Sequence, residues 1–78
     1  MYRLSDGLIE ILRKKYPKGT RIELVFMNDA RSVAPGTKGT VRHVDDMGTI
    51  HVDWDNGRRL GLIYDEDEFN VLENEDDN

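Results

Sequence analysis

Residues 36–63 constrain this chain more than any other part. They contain three short segments with a two-residue period, separated by two tight-turn sequences. Apolar and polar side chains alternate through Val41-Arg42-His43 and Ile50-His51-Val52-Asp53-Trp54, and again at Leu60-Gly61-Leu62. That period places successive side chains on opposite faces of a strand. Asp45-Asp46-Met47-Gly48 and Asp55-Asn56-Gly57 lie between the segments. Each ends in a glycine that can take the left-handed φ of a hairpin loop. The stretch therefore reads as an antiparallel meander, which specifies a fold and names no reaction.

Matching like faces sets the register of each hairpin. In the first, a four-residue loop pairs Val41 with Val52, His43 with Ile50 and Gly39 with Trp54, leaving room for the indole over Gly39. Arg42 then meets His51, and Thr40 meets Asp53, on the other face. In the second, a three-residue loop pairs Val52 with Leu60 and Asp53 with Arg59. A two-residue Asn56-Gly57 turn would instead set Asp53 against Leu60.

Upstream, Leu4, Leu8, Ile11, Leu12 and Tyr16 recur at helical spacing, which predicts a short amphipathic helix over about 5–16, centred on 6–15. Ser5 suits the N-cap, Asp6 the positive end of the helix, and Arg13, Lys14 and Lys15 its last turn. Leu4 and Ile9 occupy the two positions of a hydrophobic staple, and Pro17 with Gly19 stops the helix. From Thr20 the period becomes two, with Ile22, Leu24 and Phe26 expected on a buried face. A loop over 27–37 follows, then strands near 38–44, 49–54 and 58–64, an acidic turn at 65–68 and a last strand near Phe69–Leu72.

A chain of 78 residues makes one small domain with a core that is only just sufficient. We expect residues 1–72 to form it, as a mainly β, five-stranded SH3-like barrel with the short N-terminal helix over one end or edge. Closure would hide sheet edges; a flat antiparallel sheet packed on the helix is the alternative. There is no cysteine, so no disulfide or thiolate metal site supports the fold. That and the absence of an apolar leader or membrane-length run lead us to expect a cytoplasmic protein without membrane contact.

The net charge of −5 conceals an asymmetry. Residues 1–64 carry all 11 Lys and Arg against eight acids, a balance of +3, whereas residues 65–78 carry the remaining eight acids and no base. Residues 73–78 read as a disordered acidic tail.

The ordered motifs Gly19-Thr-Arg-Ile-Glu-Leu, Met27-Asn-Asp, Pro35-Gly-Thr-Lys-Gly-Thr-Val, Val44-Asp-Asp, Gly48-Thr-Ile-His-Val and Trp54-Asp-Asn-Gly resemble a small bacterial and phage family, domain of unknown function 4314. The resemblance covers about residues 17–72. It implies the small β fold and an origin in phage or mobile-element genes, and it carries no established activity. Members commonly have prolines where this chain has Ala30 and Ala34, so the loop here should be less stiff.

Catalytic patterns fail on the residues. The only serines are Ser5, a cap, and Ser32, in the long loop, so no nucleophilic triad assembles. In the register above His43 and His51 point to opposite faces and cannot share a metal. Asp53-Trp54-Asp55-Asn56-Gly57 misplaces the glycine and lacks the closing glutamate of a calcium loop. Gly36-Thr-Lys-Gly-Thr has neither the spacing nor the following helix of a phosphate loop. Asp65–Glu68 reads as a solvated turn, because tuned carboxyls need burial or a fixed partner. Trp54 and Phe69 suit the core better than a stacking platform. We expect no enzyme and no cofactor.

Three binding readings follow. The first is a partner protein held on the 27–37 loop and the Trp54–Arg59 hairpin, with Asn28, Asp29, Arg31, Arg42, Trp54, Arg58 and Arg59 as the candidate surface; Asn28 and Asp29 also suit bracing of the loop itself. The second is nucleic acid on Arg21, Lys38, Arg42, Arg58 and Arg59. The third is an inhibitor whose acidic residues 65–78 mimic nucleic acid.

Overall fold

The computed structural model describes residues 4–27 and 33–72. Helix α1 (Asp6–Lys15) is followed by β1 (Arg21–Phe26), β2 (Lys38–Val44), β3 (Thr49–Trp54), β4 (Leu62–Ile63) and β5 (Glu68–Val71). The five strands form one antiparallel sheet in the order β4-β3-β2-β1-β5. Its two outer strands, β4 and β5, make no ladder with each other, so the sheet stays open and is not closed into the expected barrel. The expected disordered tail, 73–78, lies outside the described residues.

The helix forms where its signals place it. Ser5 Oγ accepts from Leu8 N at 3.2 Å, and the Tyr16 N–H closes the last turn on Leu12 O. Its buried stripe is Ile9 and Leu12, continued by Leu4 and Tyr16 outside the helix ends. Ile11, expected in that stripe, is 59% exposed because the stripe turns through Ile9 instead. Leu4 packs at Gly48 in the β2–β3 turn, while the Tyr16 ring meets Phe69 of β5 edge-on at 5.3 Å. The helix thus reaches from that turn to the far edge of the sheet. Arg13 fixes the crossing by donating to Val44 O at 3.1 Å and to Asp46 Oδ1 at 2.9 Å.

The second hairpin loop has the expected three residues, whereas the first is one shorter than the expected four. Asp45 N donates to Thr49 O and Gly48 N to Asp45 O, both at 3.0 Å, which leaves Asp46-Met47-Gly48 as the loop. Gly48 ends the first at φ +88°, a conformation that L side chains rarely adopt, and a Cβ there would collide with Leu4. The second closes through Trp54 N to Arg58 O at 2.8 Å and Gly57 N to Trp54 O at 2.9 Å, with Asp53 opposite Arg59. Gly39↔Trp54, Thr40↔Asp53 and Val41↔Val52 pair as the face-matching rule requires.

Beyond Val41 the expected register is overturned. A bulge shifts the ladder, so His43 meets His51 and Val44 meets Ile50. The extra residue turns His43 outward and Val44 into the core. A second irregularity between Leu24 and Phe26 has the same effect on β1: Phe26 is 51% exposed and Met27 is buried in its place. The expected strand over 58–64 shrinks to Leu62–Ile63 plus the isolated Asp53–Arg59 bridge.

The core lies between the helix and one face of the sheet. Ile22, Leu24, Val41, Ile50, Val52 and Leu62 are all at most 1% exposed. Burial of such side chains, at about 1.5–3 kcal/mol each, is the main favourable term. Met27 and Val33 pin the two ends of the β1–β2 connection to that core. No helix among the described residues is long and apolar enough to cross a membrane.

Candidate functional site

The seven residues expected to meet a partner are not gathered into one surface. Asn28, Asp29 and Arg31 lie outside the described residues. Trp54 is 3% exposed, and its Nε1 donates to Leu60 O at 3.0 Å, so the indole belongs to the core and offers no contact face. Arg42 and Arg59 converge on Asp53, their Nε atoms 3.5 and 3.3 Å from its Oδ1. That oxygen is shielded from solvent with no aligned hydrogen bond, so the contacts are ionic. Arg58 is exposed, its backbone N–H held by Asn56 Oδ1 at 3.0 Å.

The polar face of β1, β2 and β3 is therefore charge-paired. Arg21 adds a two-pronged contact to Asp55, 2.8 and 2.7 Å, and a 2.9 Å hydrogen bond to Thr40 Oγ1. Arg21's hydrogen bonds outweigh the small cost of burial and hold the Asp55 carboxyl below the usual range.

The β2 bulge brings together two histidines expected on opposite faces. The rings of His43 and His51 stack with centroids 4.5 Å apart and planes 14° apart. Their expected separation was the stated reason against a shared metal, and that reason fails. Among the described residues, however, no three His, Cys, Asp or Glu side chains are placed to hold a metal ion. His51 Nε2 instead meets Asp45 Oδ2 at 2.8 Å. Asp45 Oδ1 accepts from Met47 N at 2.9 Å and Thr49 N at 3.0 Å, which locks the turn. Burial raises the Asp45 pKa, but the His51 contact and the two backbone donors together hold it low.

The sequence reading missed an apolar surface at the open side of the sheet. Met47, Ile63 and Tyr64 are 54%, 36% and 37% exposed, and Val25 is 42% exposed. Two depressions adjoin there and share Tyr64. One, of about 290 Å³, is lined by Leu4, Met47, Ile63 and Glu66; the other, of about 460 Å³, by Tyr16, Val25, Phe69, Asp67 and Glu68. The turn between β4 and β5 shapes both. Ile63 O accepts from Glu66 N at 3.0 Å and Asp67 N at 2.9 Å, and Asp67 Oδ2 takes the Ile63 N–H at 2.8 Å.

Two sequence signals pointed here. Leu62-Ile63-Tyr64 is an unbroken apolar run, and alternation can bury only some of its members. Met47 is likewise a large apolar residue at a turn tip, where a polar turn former is the usual choice.

No curated protein and no solved structure matches this chain. The family described as Domain of unknown function (DUF4314) matches residues 5–72, and the chain belongs to that family.

Proposed function

We propose that this is a non-catalytic protein-binding module that takes a segment of a partner protein on the Tyr64 surface. The carrying observation is that four of the seven exposed large apolar residues among those described, Met47, Ile63, Tyr64 and Val25, line two adjoining depressions, while Ile11, Phe26 and Val71 line neither. Exposed apolar side chains grouped in this way mark interaction sites, whereas single ones need no explanation. We also read the fold as an SH3-like barrel left open between β4 and β5, with the module working as a soluble cytoplasmic protein. The strand order β4-β3-β2-β1-β5 and the helix crossing from the β2–β3 turn to β5 support the reading of the fold.

Nucleic-acid binding is the weaker reading. Of the five cations expected to carry it, Arg21, Arg42 and Arg59 are held by Asp55 and Asp53. Phosphates would have to compete with those carboxylates.

The test compares capture from an extract of the source cells by the wild-type chain, by Met47→Asp/Tyr64→Ser and by Arg59→Ala. The expected result is a defined protein held by the wild type and Arg59→Ala and lost with the double variant, whose fold is verified by dispersed amide NMR signals. Capture that survives the double variant, or that is lost only with Arg59→Ala, overturns the reading.

A further inference from the structure

We infer that the segment taken by the Tyr64 surface is extended and cationic, with two apolar side chains bracketing a Lys or Arg. This rests on the reading of that surface as a protein-docking face and adds the chemistry of its occupant.

Charge is the first argument. Glu66, Asp67 and Glu68 line the two depressions, and no Lys, Arg or His is among the lining residues described. Asp67 is used in closing its own turn, but Glu66 and Glu68 are exposed at the rim. A cation is favoured there and an anion repelled, which sets partner choice. Nucleic acid, with its phosphates, is excluded from this face on the same ground.

Size and layout give the rest. Drug-sized ligands occupy pockets of roughly 300–1,000 Å³. Depressions of about 290 and 460 Å³ lie at the low end of that range, and each has room for a large side chain. Tyr64 stands in both, so one chain crossing it places a side chain on either side. In an extended segment, residues two apart share a face, spaced at roughly 3.3 Å per residue. Apolar residues at the first and fifth positions then enter the depressions, and a cation at the third lies over Tyr64, where an aromatic face adds attraction.

Strand edges frame the same surface. Ile63 of β4 borders one depression, and Glu68, Phe69 and Asn70 of β5 border the other. The Ile63 N–H and carbonyl are held by their own turn, so β5 is the outer strand whose backbone donors and acceptors an extended chain can pair with.

The experiment titrates the full chain with three synthetic peptides whose cores are Leu-Ser-Lys-Ser-Leu, Leu-Ser-Glu-Ser-Leu and Ser-Ser-Lys-Ser-Ser, followed by amide NMR. The expected result is shifts at Met47, Ile63, Tyr64 and Phe69 with the first peptide, which binds at least about tenfold tighter than the second; tenfold corresponds to about 1.4 kcal/mol. Glu66→Lys/Glu68→Lys should reverse that preference, and Glu66→Gln/Glu68→Gln should abolish it. Equal binding of the Lys and Glu cores at these residues would sink the cationic occupant while leaving the docking surface in place. Equal binding of the Ser-Ser-Lys-Ser-Ser core would sink the apolar bracket. Should no peptide move these four signals, the occupant and the docking surface both fall.

Discussion

Trp54 lies directly across the place where Gly39 has no side chain. A Cβ at Gly39 would stand 2.8 Å from Trp54 Cε3, 2.7 Å from Val52 Cγ1 and 3.1 Å from Asp53 O. One neighbour is backbone and the other two are packed core atoms, so none yields easily. Gly39→Ala should cost about 1–3 kcal/mol by overpacking. Urea unfolding of Gly39→Ala, alone and combined with Trp54→Phe, measures it. The smaller ring should recover part of the loss; a Gly39→Ala chain as stable as the wild type would refute the packing.

Trp54→Ala tests the same region from the other side. Removing a 3%-exposed indole leaves a cavity and an unpaired Leu60 carbonyl. The expected loss is about 3–5 kcal/mol, a large part of a small domain's stability. A negligible change in the denaturation midpoint would overturn the core placement of Trp54, which the sequence reading favoured, and leave it as a contact residue.

His43 distinguishes the two registers of the first hairpin. In the face-matched register it is a core residue, and truncating it would be costly. With the bulge it is exposed and stacks on His51. His43→Ala should therefore cost no more than about 1.5 kcal/mol, the upper end for an aromatic pair. A loss well beyond that in chemical denaturation would restore the inward histidine.

Local signals were legible and inserted residues were not. Ser5, Asp6 and the Arg13–Lys15 run define α1 because caps and charges act within a turn. Gly48 and Gly57 mark where each hairpin loop ends because a positive φ selects for glycine. The bulges at Val41/His43 and Leu24/Phe26 leave no such mark, yet each inverts the faces beyond it, which is why His43 and Phe26 were placed inward. Whether the sheet closes depends on β4 meeting β5 at long range, and no local pattern carries that. The Tyr64 surface stayed hidden for a related reason: the run at Leu62–Tyr64 shows that apolar residues are in excess, but only the turn at 64–67 decides which are left outside.

Asp45 gives the fold an acid limit. Its carboxyl is held below the ordinary value, so its contribution is full above about pH 4, the unfolded carboxylate pKa. That contribution is lost as pH falls through the lower folded value, because protonation removes charge from the acceptor of Met47 N, Thr49 N and His51. Thermal melts from neutral to acid pH should show a steeper decline for the wild type than for Asp45→Asn, whose amide oxygen still caps the turn without titrating. Parallel acid limbs would remove Asp45 as the cause. Because Met47 N donates to Asp45 Oδ1, its amide signal should move over the same pH range.

Arg21 and Asp55 join β1 to the second hairpin in a way that depends on shape as well as charge. Both guanidinium NH groups meet both carboxylate oxygens, and NH1 also reaches Thr40 Oγ1. A lysine keeps the positive charge but cannot reproduce the fork. Asp55 is half exposed, which screens the pair, so Arg21→Lys should cost no more than about 1 kcal/mol. Added salt should narrow the gap between the two proteins. Asp55→Asn should cost about the same, and the double variant little more than either single one, because the two residues act as one contact. Urea unfolding of all four proteins closes this cycle. Fully additive losses would mean that Arg21 and Asp55 act independently. The case against nucleic acid on this face would then lose its strongest support.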